Sequence, residues 1–99
     1  MAQPKLNLVV LRCRDLAAGA RFYEALGLRF ERERHGSGPE HLACEADGWV
    51  FELYPMPADQ PDAAPTTNTR IGFAVADLDA AVAAADKVGA SVLSNPTTS

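Results

Sequence analysis

His35, His41, Glu52 and Tyr54 carry most of the chemical capacity of this chain, and their spacing in two hairpins puts them on one surface. Asp47-Gly48 is a two-residue hairpin signal, because both positions of such a turn favour positive φ. It sets Ala46 opposite Trp49, Ala43 opposite Glu52 and His41 opposite Tyr54. If the loop from Gly36 to Glu40 closes the preceding hairpin, His35 pairs with His41 and Glu31 with Glu45. Side chains alternate across a strand, so one face then collects Glu31, Glu33, His35, His41, Glu45, Val50, Glu52 and Tyr54. Two imidazoles and a carboxylate form a metal-ligand set, and Tyr54 beside His41 would orient or protonate a bound group. Glu31 facing Glu45 would repel unless water, an arginine, a metal or a cationic ligand lay between them. The alternatives are a solvated outer face and a hydrogen-bonded histidine pair near a surface loop. Expected ligand-binding residues are therefore Glu52, His41, Tyr54, His35 and Glu45, with Glu52 foremost and His35 and His41 next as metal ligands.

The opposite face holds Phe30, Leu42, Cys44, Trp49, Phe51 and Leu53, which is a core face, although Arg32 and Arg34 run off its end. Trp49 reads as core rather than as a stacking platform. Gly36-Ser37-Gly38 is too short for a phosphate loop and no helix follows it. No serine or cysteine nucleophile has a neighbouring base in sequence.

These hairpins belong to a larger pattern that repeats. Val9, Leu11 and Cys13 match Ile71, Phe73 and Val75, and Asp15-Leu16 matches Asp77-Leu78, all at an offset of 62 residues. Gly27 and Gly89, and Phe30 and Val92, keep the same offset. A fixed offset points to duplicated supersecondary units. In each unit an apolar strand leads to an aspartate suited to cap a helix, an apolar stripe at helical spacing, and a glycine to end it. The stripe is Gly19, Phe22, Tyr23 and Leu26 in the first unit, and Ala81, Ala84, Ala85 and Val88 in the second. The first unit continues through strands over Leu28–Arg34, His41–Glu45 and Trp49–Tyr54, giving βαβββ. The second reaches only βαβ, with strands at 70–75 and 91–93, and the counterparts of His41 to Tyr54 would lie beyond residue 99. The expectation is one α+β domain: a βαβββ module over 5–54, a Pro/Ala/Thr/Asp-rich linker over 55–69 and a partial second module over 70–95.

Composition narrows the function. A hydrophobic fraction of 47% supports a packed core rather than disorder. A formal charge of -4 argues against nucleic acid, whose phosphates need a basic patch. No apolar run reaches bilayer length and the N-terminus lacks a signal-peptide core, so a soluble cytoplasmic protein is expected, with no membrane partner. Cys13 and Cys44, without a C-x-x-C spacing, read as half-buried free thiols.

Val10-Leu11, Asp15-Leu16, Phe22-Tyr23, Leu26-Gly27-Leu28 and Phe51-Glu52-Leu53-Tyr54-Pro55, followed by Gly72-Phe73-Ala74-Val75 with Asp77-Leu78, resemble the vicinal oxygen chelate superfamily. That superfamily includes glyoxalases, bleomycin-resistance proteins and extradiol dioxygenases. The resemblance implies paired βαβββ modules that curl into a cup, whose polar concave face often holds a divalent metal. It implies ligands on the first and last strands of each module. Glu52 matches one such position, but Leu8 and Arg70 occupy two others and the fourth would lie beyond residue 99. The usual site is therefore not expected, and no cofactor beyond a divalent metal at another set of donors is implied. Three readings follow. The one that asks least of missing ligands is a small-molecule-binding protein that sequesters a cationic drug or metabolite. The others are a metal-dependent lyase, isomerase or dioxygenase, and a folded member without intrinsic activity. An incomplete second module would leave strand edges uncovered, so a homodimer is expected.

Overall fold

A computed structural model describes residues 2–60 and 62–91. Its elements are β1 (Leu8–Cys13), α1 (Leu16–Ala25), β2 (Glu31–Glu33), β3 (His41–Ala46), β4 (Trp49–Pro55) and α2 (Leu78–Lys87). The four strands form one sheet in the order β1-β4-β3-β2. β4 pairs in parallel with β1 and antiparallel with β3, and β3 pairs antiparallel with β2. The parallel pair requires a crossover, and α1 is its helical part.

Local chemistry places each boundary. Asp15 caps α1, its carboxylate accepting from Ala18 N–H at 3.0 Å, and Asp77 caps α2 from Ala80 N–H at the same distance. Gly27, just past α1, takes φ 106°, a left-handed conformation that costs glycine little. Asp47 and Gly48 take φ 45° and 87°, the positive pair that a tight hairpin with strand-like twist requires.

α1 covers one face of the sheet, and α2 packs against α1. Ala20, Cys44, Phe51 and Leu53 are the buried centre, ringed by Val9, Leu11, Cys13, Tyr23, Phe30, Leu42, Trp49, Ile71 and Phe73. Tyr23 meets Phe51 edge-on at 4.8 Å between ring centroids. Glutamates, histidines and Tyr54 emerge on the other face, as the alternation requires.

Three expectations change. The β3–β4 register is as read, with Ala46 opposite Trp49 and Ala43 opposite Glu52. The β2–β3 register is displaced by two residues: Glu33, not His35, lies opposite His41, and Glu31 lies opposite Ala43, not Glu45. The cause is the connection, where a turn from His35 O to Gly38 N at 3.0 Å, with Gly36 at φ 60°, takes His35 out of the ladder. β2 is correspondingly shorter than the expected Leu28–Arg34 strand. Finally, residues 71–75 form no strand, although Ile71 and Phe73 pack on the core as a strand's inward residues would. The second strand expected there, at 91–93, lies outside the described residues apart from Ser91.

Cys13 and Cys44 are both free thiols, Cys44 buried and Cys13 partly so. Burial raises the pKa of the Cys13 thiol; burial, then the neighbouring Cys13, raises that of the Tyr23 hydroxyl. Both groups hold their protons more tightly folded than unfolded. The native state therefore suffers no penalty below the ordinary thiol and phenol pKa values and loses stability as pH rises through them. Urea midpoints are expected to fall between about pH 8 and about pH 10.5, and less steeply in a Cys13→Ala/Tyr23→Phe double variant. Parallel slopes in the two proteins would count against this assignment.

Candidate functional site

The displaced register assembles the polar face more tightly than the sequence-derived one. Glu33 on β2, His35 in the following loop, His41 on β3 and Glu52 on β4 each offer a nitrogen or carboxylate oxygen, and these four atoms lie within 4.8 Å of one another. His41 Nε2 is 3.2 Å from Glu52 Oε2 and 3.9 Å from Glu33 Oε1, and His35 Nε2 is 3.5 Å from the same Glu33 oxygen. His41 and Glu52 meet diagonally across the antiparallel pair, with small, buried Ala43 between them on this face.

His41 is the anchor. It is 1% exposed and, with Leu53, among the most deeply buried large side chains. Its Nδ1 lies 3.3 Å from the carbonyl of Pro39. A carbonyl only accepts, so Nδ1 carries the hydrogen. Nε2 is then turned toward two carboxylates, and no group among the described residues forms a hydrogen bond with it. The 3.2 Å approach of Glu52 has the distance of a hydrogen bond without its alignment. Nε2 and the oxygens of the two carboxylates converge on the same small volume. A buried imidazole nitrogen left without a partner is costly, and a cation beside the two carboxylates would supply one.

Tyr54 stacks on the His41 ring, 4.1 Å between centroids and 8° from parallel. The Arg12 guanidinium lies 5.0 Å from the Tyr54 centroid while its Nη1 donates to the Pro55 carbonyl at 3.2 Å. His41 closes one face of Tyr54, so Arg12 covers the other. His35 is the exposed member of the cluster, its side chain 72% accessible, its ring 5.1 Å from that of His41. It marks the solvent entrance.

Of the residues expected from sequence, His35, His41 and Glu52 meet, and Tyr54 supports His41. Glu45 does not join them: it is exposed and pairs with Val50, toward the Asp47-Gly48 turn. Glu33 is the member of the cluster that sequence reasoning placed on the face but not in the site; the signal was its alternation with His35, obscured by the register. The positions that the family resemblance implies for a metal do not fit one. Leu8 is an exposed leucine on β1, and exposed Arg70 lines a groove with Phe22, Tyr23 and Leu26 on the helical side. Neither can ligate a cation, and only Glu52 is shared with the cluster described above.

Comparisons with known proteins agree with this architecture. A family model described as the glyoxalase/bleomycin resistance protein/dioxygenase superfamily matches residues 5–99. No curated protein matches significantly. Among solved structures, the hypothetical protein SA1046 from S. aureus superposes with a TM-score of 0.69 at 21% identity, covering 100% of this chain and 79% of that one. The integron cassette protein VCH_CASS1 from the mobile metagenome of V. cholerae gives 0.59 at 22% identity, covering 98% and 77%. VPC_CASS1, from that of V. pseudocholerae, gives 0.59 at 25% identity, covering 98% and 76%. No helix among the described residues is long and apolar enough to cross a membrane.

Proposed function

The chain belongs to the glyoxalase/bleomycin resistance protein/dioxygenase superfamily, and within it we propose a binding protein that holds a cation on the polar face of its sheet, between Glu33, His41 and Glu52. One observation carries the reading: the Nε2 atom of His41, buried and without a hydrogen bond among the described residues, is aimed at two carboxylates. Anions find the reverse of what they need there. A positive charge satisfies the nitrogen and both carboxylates at once.

Size follows from the same surroundings. A large organic cation is usually captured on an open aromatic face. Tyr54, the aromatic residue of this site, has His41 on one face and Arg12 on the other. With both of those faces covered, the site favours a compact cation over a bulky drug-like one.

Thermal melts and calorimetry with divalent metal salts, guanidinium and tetramethylammonium, against sodium acetate and phosphate as controls, test this. A cation at about a hundred times its Kd should add about 2.7 kcal/mol to the unfolding free energy. The acetate and phosphate controls should add nothing. A folded chain that responds to none of the cations, or to the controls equally, would remove the proposal.

A further inference from the structure

We infer that the cation is a divalent transition metal of the zinc, cobalt or nickel class, held by Glu33, His35, His41 and Glu52, a set that differs from the family positions except at Glu52. This rests on the cation-binding reading and narrows it. Zn–N and Zn–O bonds run about 2.0–2.2 Å, so neighbouring ligands in a tetrahedral shell sit about 3.3–3.6 Å apart. The contacts of 3.2, 3.5 and 3.9 Å among the four side chains bracket that edge. The widest separation, up to 4.8 Å, closes with a small movement of a side chain. His35 is the exposed one, and it has the freedom to move.

Donor chemistry selects the ion. Two imidazoles with two carboxylates suit zinc, cobalt and nickel, whereas magnesium and calcium prefer oxygen alone. The outer surroundings agree. A ligating imidazole normally donates its other N–H to a carbonyl or carboxylate, which fixes its orientation. His41 does so to Pro39. Tyr54, stacked on the same ring, holds its plane. His41 and Glu52 sit on rigid, paired strands, Glu33 is cross-strand from His41, and only His35 comes from a loop. Three positions are thus built by the sheet and the fourth can close over an arriving ion from the solvent side.

Cobalt(II) reports on this site directly, because its visible ligand-field absorption is intense only in a low-coordinate, non-aqueous shell. The metal-free 99-residue chain should bind one equivalent with strong visible bands and compete for zinc. Glu33→Gln and His35→Ala, each at a surface-accessible position, should each weaken binding at least about tenfold. Arg70→Ala, at a family position outside the cluster, should leave affinity unchanged. Unaltered cobalt affinity in both Glu33→Gln and His35→Ala overturns the inference, as does a loss of affinity in Arg70→Ala. If cobalt fails to bind while guanidinium or tetramethylammonium still raises the melting temperature, the metal assignment falls and the cation reading stands. If none of these cations acts on the folded chain, both fall.

Discussion

Phe51→Ala is expected to lower the unfolding free energy by about 3–5 kcal/mol, close to the whole stability of many domains this small. Phe51 is 2% exposed and stands where every layer of the core meets. Tyr23 of α1 packs edge-on against it, Phe30 approaches at 6.0 Å, and Phe73 at 5.9 Å joins it to the segment that precedes α2. The ring occupies the centre of an aromatic group, so its removal leaves a void walled by the strands on one side and by α1 and the segment before α2 on the other. Such a void cannot collapse without moving β4, and β4 carries Glu52 on its opposite face. Denaturant titration measures the loss. Val50→Thr, on the solvent-facing side of the same strand, should cost far less. A Phe51→Ala variant within about 1 kcal/mol of the parent would mean that the aromatic group does not hold the sheet to its helices.

Glu52→Gln should act in opposite directions on stability and on binding. The carboxylate stands 3.2 Å from an imidazole nitrogen that has no hydrogen bond among the described residues. An amide of the same shape brings N–H groups to that nitrogen and removes one of the two negative charges around it. Satisfying a buried acceptor contributes about 1 kcal/mol, so the variant should melt higher than the parent in the presence of EDTA. It should also lose at least about tenfold in cation affinity, because an amide is a poor ligand for a transition metal. Gain of stability with loss of binding is the signature of a site kept strained for its ligand. A variant that melts lower would show that Nε2 already carries a hydrogen and donates to Glu52, and the need for an external cation would disappear.

How much of this was legible beforehand depended on whether a local signal fixed the geometry. Asp47-Gly48 admits essentially one turn, so the β3–β4 register and the approach of His41 to Tyr54 and Glu52 could be read directly. Asp15 and Gly27 bounded α1 for the same reason. The loop after β2 contains Gly36, Ser37, Gly38 and Pro39, which can close a hairpin in several ways. The register there was read two residues out. A slip of two preserves the face, which is why the polar surface was found, but it exchanges partners, which is why Glu33 was not singled out. The apolar alternation of Ile71, Phe73 and Val75 predicted a strand. Packing of Ile71 and Phe73 on the core satisfies that pattern without ladder hydrogen bonds, and side-chain periodicity does not distinguish the two. The resemblance to a known family located the fold and pointed to Glu52. The other members of the cluster stand at positions the family pattern leaves free.

The four residues of the proposed site fall between Glu33 and Glu52, on three successive antiparallel strands and the loop between the first two. A site divided among four strands of two modules is lost when either module diverges. Here the whole set travels as one piece of chain. Any duplication, fusion or deletion that leaves this meander whole carries every donor with it, and the rest of the domain is free to drift.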